Sequence, residues 1–478
     1  MHLWDWLLPL MVGAGLFFIN IKPYHDWGDD FAQYLQQAEN LTKGKALGES
    51  SYQFNPSFSR IGPQVYPPGF SLFLSFIHPV DGSLNLEQAQ VLISFFGLLF
   101  VLFSHLLLRS FGIQRIWALV ISILLIYHPY FIHQKSEVLS DIPFAALFLG
   151  SVYFFTLAKK WQGFILAGIL GGLAICTRSV GLVLPLAALF YLLFNLRSKI
   201  NWRHPLIFVL SCLVVGVGLN YTLGYYRVNQ NGYAPLFSST SGFWAILNFN
   251  FTQYLETFEQ LFIPDGNSHI HIFLVILQKI AIGALFVGAF IKLRQKRSFI
   301  NILVILYLGV LMVYPYTGGY RFLIPLLPIF MLWIIAGFHA IKLRKFAYVN
   351  LLASLVCILL LASYWPELSR FKQTEKQAFP GPQLPEALAL YEWLERIPDE
   401  QTVLFGKPRA LAYYTGQNTV ATEPEVTRDS FANDLGSFEV QYLISGIDVY
   451  YPTLNEYVEK HEFQLVYENF RFKVWKLY

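Results

Sequence analysis

The chain has 478 residues, 55% of them hydrophobic, 17% aromatic and only 13% charged, with a mean hydropathy of +0.46. A soluble domain carries about a quarter charged residues, so this composition excludes an ordinary soluble enzyme and belongs to the membrane class. The formal net charge of +4 arises mainly in short loops between apolar runs, which makes it a topology signal and gives no support to a nucleic-acid partner.

Eleven apolar runs are predicted as membrane spans, at roughly 3–21, 88–108, 115–133, 138–158, 162–177, 180–196, 205–225, 271–291, 299–315, 322–341 and 346–364. The first lacks a basic n-region and a small-residue cleavage site, so a retained span is expected and not a signal peptide. A long loop at about 22–87 follows it. That loop opens with Tyr24-His25-Asp26-Trp27-Gly28-Asp29-Asp30, after which Phe31, Leu35 and Ala38 recur at helical spacing. This pattern predicts an amphipathic helix lying on the membrane surface. A second long loop, about 226–270, is aromatic and rich in Asn.

The even-numbered loops hold the basic residues: Arg109 and Arg115; Lys159 and Lys160; Arg197, Lys199 and Arg203; Lys292, Arg294, Lys296 and Arg297; Lys342, Arg344 and Lys345. The positive-inside rule assigns these loops and the N-terminus to the cytoplasm. The odd loops, and everything after about Tyr364, are then extracytoplasmic, with a bacterial inner membrane as the expected setting. From Ser369 charge rises, and Pro380, Pro382 and Pro385 punctuate a linker at 366–384. Residues 385–478 read as an outer soluble α/β domain, with a helix at 385–396 and strands at Thr402–Phe405, Val440–Ile444, Phe463–Tyr467 and Phe472–Leu477. Cys176, Cys212 and Cys357 all fall in apolar runs and are odd in number, which argues against disulfides and a cysteine metal site.

Asp29 and Asp30 are adjacent acids at the start of the predicted surface helix. Like charges at a lipid boundary would push their pKa values apart, as general-base work requires, but acids there also cap helices. Glu137 and Asp141 sit four apart in Lys135–Pro143, on one helical face at the mouth of the fourth span. Acids at the edge of a bilayer core line water-filled cavities or are simply solvated there. Arg178 and Arg321 are the outer-face basic candidates, either clamping a lipid phosphate or anchoring to ordinary headgroups. Lys279 reads as snorkelling or paired with an acid, and the scattered histidines, with His269 and His271 at an outer span end, are not expected to bind metal. No phosphate-binding glycine loop, dinucleotide fingerprint or zinc-protease helix is present.

Taken in order, these segments resemble the GT-C membrane glycosyltransferases, the group containing protein O-mannosyltransferases and lipid A aminoarabinose transferases. Asp30 with Tyr34, Ala38 and Gly44 is similar to the family's first-loop signature, and Tyr66-Pro67-Pro68-Gly69-Phe70 to its YPPG element. Ser136-Glu137 through Asp141 resembles its acidic second outer loop. Gly171-Gly172-Leu173-Ala174 through Arg178, and Tyr320-Arg321 through Pro328, resemble two further segments. The likeness covers most of residues 1–340. It implies an α-helical polytopic fold of about eleven spans with a small soluble α/β tail, and Asp30, more than Asp29, as the catalytic acid. Donor phosphate binding falls to Arg178 and Arg321, and substrate binding to Glu137, Asp141, Tyr66 and Tyr320. One position departs: where aminoarabinose transferases carry a lysine before the paired prolines, this chain has Tyr66.

The implied activity is transfer of a sugar from a polyprenyl-phosphate carrier to a glycan, lipid or protein acceptor at the outer face. Inversion is expected, and no cofactor; the adjacent acids could hold a divalent ion, though none is expected. A secondary transporter would instead predict internal repeats and paired broken helices, and no convincing pair is found. An assembly or sensor protein would not need acids and arginines gathered on one face.

Overall fold

The computed structural model describes residues 2–79, 82–195, 201–228, 242–260, 271–293, 298–340, 349–374, 380–423, 428–447, 449, 454, 457–458 and 463–477. Parts of the 226–270 loop and of the 366–384 linker lie outside these residues, as do His269, Arg197, Lys199, Arg294, Lys296, Arg297, Lys342, Arg344 and Lys345.

The bundle begins with α1 (Trp4–Gly13), α2 (Asp30–Thr42), α3 (Gly69–Ser75), α4 (Leu86–Ser110) and α5 (Arg115–Ile126). It continues with α6 (Pro129–Ser136), α7 (Asp141–Leu157), α8 (Trp161–Thr177), α9 (Val183–Phe194) and α10 (Arg203–Thr222). Helices Phe243–Gln260, His271–Leu293, Phe299–Val313, Leu327–Ala340 and Val349–Thr374 complete it. Among the described residues, Leu86–Ser110, Arg203–Thr222 and Tyr320–Phe338 are each long and apolar enough to cross a membrane alone. The pair α5 and α6 would add a fourth span, bent by 55°. The sequence predicted one unbroken run over 115–133. It breaks because Pro129 cannot donate a backbone hydrogen bond and forces His128 out of the helical region, to φ −61° and ψ 132°.

Buried Asp5 of α1 accepts from Arg109 Nε at 3.0 Å and Arg115 Nε at 2.8 Å. The first basic loop is thus tied to the first helix as well as carrying the topology signal.

The helix predicted from Phe31, Leu35 and Ala38 is α2, and those three side chains are fully buried. It does not lie free on a lipid surface, because Gln33, Tyr34, Gln37 and Asn40 are buried too. Two of these are held by loop backbone: Asn40 donates to the carbonyls of Leu47 and Glu49. Gln37 brackets Tyr66, donating to its carbonyl at 2.9 Å and accepting from its N–H at 3.0 Å. Gln37 and Asn40 of α2 therefore fix the long first loop.

The C-terminal region forms a five-stranded sheet in the order β2 (Asn418–Val420), β1 (Thr402–Leu404), β3 (Val440–Gly446), β5 (Phe472–Lys476) and β4 (Gln464–Glu468). The first three are parallel, and β5 runs antiparallel to both β3 and β4. The sequence anticipated four strands and passed over β2, which is only three residues long. Alternation along the strands sorts the two faces. Val403, Phe405, Tyr442, Ile444, Phe472 and Val474 join the main core, whereas Leu404, Val420 and Leu443 pack with Phe431 and Leu435 of the helix Arg428–Ser437. Trp27 from the first loop sits edge-on to Phe405 and Phe472, with ring centroids 5.3 and 5.9 Å away. One apolar core therefore runs from the helical bundle into the sheet. The loop also meets the sheet edge: Gln53 N donates to the Thr419 carbonyl at 2.8 Å and Thr419 N to the Ser51 carbonyl at 2.9 Å.

Candidate active site

The first-loop acids Asp29 and Asp30 lie where α2 begins, at the junction of bundle, first loop and sheet region. They face different partners. Asp29 Oδ1 accepts from the backbone N–H groups of Arg409 and Ala410, at 3.0 and 3.1 Å. It therefore caps the helix Pro408–Thr415, whose first N–H groups have no partner within the helix. Burial pushes the Asp29 carboxyl up to about 6, against the pull of the Arg409 charge.

Asp30 keeps an open edge, with about 36% of its side chain exposed. Its Oδ1 accepts from the Tyr66 hydroxyl at 2.6 Å. Its Oδ2 lies 3.9 Å from Arg321 Nη1. Burial holds the Tyr66 phenol well above its ordinary range, so it stays protonated and serves as a donor. The Tyr66 ring stacks on Tyr34 at 5.0 Å, and the Tyr34 hydroxyl shares a hydrogen bond with Ser140 Oγ at 2.8 Å. The YPPG segment thereby joins the first loop to the start of α7. Its glycine has a steric reason: a Cβ on Gly69 would lie 2.7 Å from the Cys176 backbone carbon, so only glycine lets α3 lie on the end of α8.

Arg178 follows immediately after α8. It donates from Nη1 to Asp141 Oδ1 at the first position of α7, and its guanidinium lies 4.7 Å from the centre of the Phe322 ring. Arg321 lies 5.2 Å from the same ring. It is presented by the Gly318-Gly319 turn, in which Gly319 adopts φ +55°, a region that disfavours side chains. Arg178 and Arg321, about 140 residues apart in sequence, thus converge on one aromatic ring. Asp30, Tyr66 and Arg321 form one cluster; Arg178 and Asp141 adjoin it through Phe322.

Glu137 and Asp141 do not share a helical face. The chain leaves the helix at Glu137, with ψ 136°, and re-enters it only at Asp141. Asp141 turns to Arg178, and Glu137 to His25 of the first loop, with Oε2 3.2 Å from Nε2. Tyr320 packs its ring 5.2 Å from His128 and 5.6 Å from Tyr130, inside an aromatic stack.

His25, Asp26 and Glu137 offer one ligand atom each within 4.8 Å and are the group that could hold a metal among the described residues. The ring geometry favours a different arrangement: Nδ1 lies 3.0 Å from Asp26 Oδ1 while Nε2 faces Glu137. Both ring nitrogens lie within reach of carboxylates, and the Val138 backbone N–H also points at Nε2 from 3.3 Å. Burial alone would lower the His25 pKa, but the Glu137 charge and the Asp26 hydrogen bond raise it on balance. The same pairing overrides burial at Asp26 and holds its carboxyl down at about 2.

Sequence reasoning missed Arg409. Its side chain is 1% exposed. It donates from Nη1 to the Tyr66 hydroxyl at 2.8 Å and from Nη2 to the Pro63 carbonyl at 2.8 Å, and it stands 3.5 Å from Asp30 Oδ1. Its one sequence signal was a lone cation in the otherwise apolar stretch Pro408-Arg409-Ala410-Leu411-Ala412.

Residues 65–219 match the family described as dolichyl-phosphate-mannose-protein mannosyltransferase. No curated protein matches the chain. Among solved structures, the fold is similar to ArnT from Cupriavidus metallidurans bound to undecaprenyl phosphate, with a TM-score of 0.60 at 14% identity over 99% of this chain and 98% of that one. It is also similar to the oligosaccharyltransferase AglB from Archaeoglobus fulgidus, in complex with an inhibitory peptide and a dolichol-phosphate. There the TM-score is 0.56 at 12% identity, over 94% of this chain and 69% of that one. The matches cover both the bundle and the sheet, and they show a shared fold.

Proposed function

We propose that this chain, a membrane protein with the GT-C fold, transfers a sugar from a polyprenyl-phosphate donor to an acceptor hydroxyl or amide at the outer face. One observation carries the reading: Asp30 keeps one carboxylate oxygen open, and that oxygen faces Arg321 at 3.9 Å. A base and a cation thus stand side by side, where an acceptor and a departing phosphate could be held next to each other. The similarity of the fold to proteins bound to undecaprenyl phosphate and dolichol-phosphate supports a lipid-phosphate donor.

In this reading Asp30 Oδ2 takes the acceptor proton as the acceptor atom bonds to the anomeric carbon. The bond from that carbon to the phosphate oxygen breaks, and its electron pair leaves on the polyprenyl phosphate. Arg321 offers a fixed fork for the growing negative charge. Arg178, already paired with Asp141, adds positive charge behind Phe322. Displacement on the face opposite the phosphate inverts the anomeric centre. Glu137, tied to His25, acts by holding the first loop to the second. Asp29 acts by capping the helix that carries Arg409. The finer topology remains eleven spans, with the N-terminus cytoplasmic and residues 385–478 outside.

The test is turnover of synthetic polyprenyl-phosphate pentoses and hexoses by the purified protein, read as release of free polyprenyl phosphate. Sugar-dependent release supports the proposal. Inactivity toward every such donor, with lipid-linked sugars and surface glycans unchanged on gene deletion, would overturn it.

A further inference from the structure

We propose that the sheet region completes the catalytic centre: Arg409 is a positioning residue that orients Asp30 through the Tyr66 hydroxyl. This inference rests on the transferase reading above and adds a residue to it.

The direction of the relay follows from donor chemistry. A guanidinium has only hydrogens to give. Its 2.8 Å contact with the Tyr66 oxygen is therefore a donation, and the hydroxyl must direct its own proton elsewhere. The acceptor at hand is Asp30 Oδ1, 2.6 Å away. Arg409 to Tyr66 to Asp30 is thus ordered in one sense. It commits Oδ1 and leaves Oδ2 for the acceptor.

The guanidinium is held as a fixed part. Its carbon lies 5.2 Å from the Tyr52 ring centre and 5.0 Å from that of Tyr66, and Nη2 is committed to the Pro63 carbonyl. Its own backbone N–H is anchored on Asp29. A residue that served only to dock two regions would not need its donors aimed at a tyrosine bonded to the candidate base. Docking has its own contacts: Asn55 of the first loop donates to the Ala421 carbonyl at 3.2 Å and to Asp434 Oδ2 at 3.1 Å. Asn55 makes the natural control.

The experiment compares Arg409→Met, Arg409→Lys, Tyr66→Phe, the double variant Arg409→Met/Tyr66→Phe, and Asn55→Ala in the full-length protein. Arg409→Met should lower kcat by about 10- to 100-fold through misplacement of the base, with a smaller change in donor KM. Arg409→Lys, which retains charge and one donor, should restore part of kcat. The double variant should lose less kcat than the product of the two single losses, since Arg409 acts mainly through the Tyr66 hydroxyl and only secondarily through its own 3.5 Å contact with Asp30. Asn55→Ala should lower thermal stability and leave kcat in place.

A second readout is independent of turnover. Hydrogen exchange over residues 62–70 should rise in Arg409→Met and not in Asn55→Ala. Wild-type turnover with additive Arg409 and Tyr66 effects, or an equal fall in kcat in Asn55→Ala, would overturn the positioning role and leave the transferase reading standing. Unchanged exchange in Arg409→Met would overturn it even if no donor were turned over. An inactive wild type would count against the transferase reading alone.

Discussion

Replacing Asp30 with asparagine isolates the chemistry from the architecture. The amide has the same shape, and its oxygen can still accept from Tyr66, whose hydroxyl lies 2.6 Å from Oδ1. The amide nitrogen then occupies the Oδ2 position, 3.9 Å from Arg321 Nη1. Two donors would face each other there, and no proton acceptor would remain on the open side. A general base contributes roughly 10²- to 10⁴-fold, equivalent to about 2.7–5.4 kcal/mol of transition-state stabilisation. Asp29→Asn should do far less, because its amide oxygen can still accept from the N–H groups of Arg409 and Ala410. The assay is single-turnover release of polyprenyl phosphate by purified variants matched for expression and thermal unfolding. An Asp30→Asn protein retaining more than about a tenth of wild-type kcat would refute the base assignment.

Three further outcomes are expected. Arg321→Lys, which keeps charge but loses the bidentate fork, should raise donor KM more than acceptor KM, with Arg321→Ala worse; the same steady-state kinetics would discard the clamp if only acceptor KM moved. Arg178→Met should destabilise the fold by about 3–5 kcal/mol, because it leaves Asp141, only 4% exposed, without its cation; adding Asp141→Leu should recover most of the loss in detergent thermal unfolding. His25 is faced by Asp26 and Glu137, with His133 3.9 Å beyond on Glu137. Its folded pKa is raised, so its stabilisation is complete below the unfolded value of about 6.5 and is lost as pH rises through the folded value. Wild-type Tm should therefore fall above that pH more steeply than that of His25→Gln, and parallel curves would exclude the imidazolium bridge.

What could be read from sequence divides by the range of the interactions. The helix from Asp30 was legible because local spacing encodes it, whereas the Tyr66–Phe70 segment and Arg321 stood out by resemblance, and the steric roles of Gly69 and Gly319 emerged only in the fold. The partition between Asp29 and Asp30 was not, because adjacent identical side chains differ only in what the fold brings to each. The relation of Glu137 to Asp141 was misread: a spacing of four implies one face only if the helix is continuous, and here it is not. Arg409 was invisible because it reaches Tyr66 from 343 residues away in sequence. A lone arginine in an amphipathic helix does not announce which cavity it will enter. The break at Pro129 was readable, since a proline within an apolar run carries its own steric rule.

The meeting of the first loop with Thr419 has a consequence for the isolated tail. β2 is an outermost strand, and unpaired strand edges recruit other strands. In the intact chain Ser51 and Gln53 occupy that edge with two backbone hydrogen bonds to Thr419. Expressed alone as residues 385–478, without the first loop, the sheet would present a bare edge together with the apolar surface that Trp27 covers at Phe405 and Phe472. Self-association is then the expected behaviour of the excised fragment. Ribosomal order compounds the point: the loop emerges about 370 residues before its partner strand, so during synthesis it must wait in a membrane-anchored chain for the edge that will cover it.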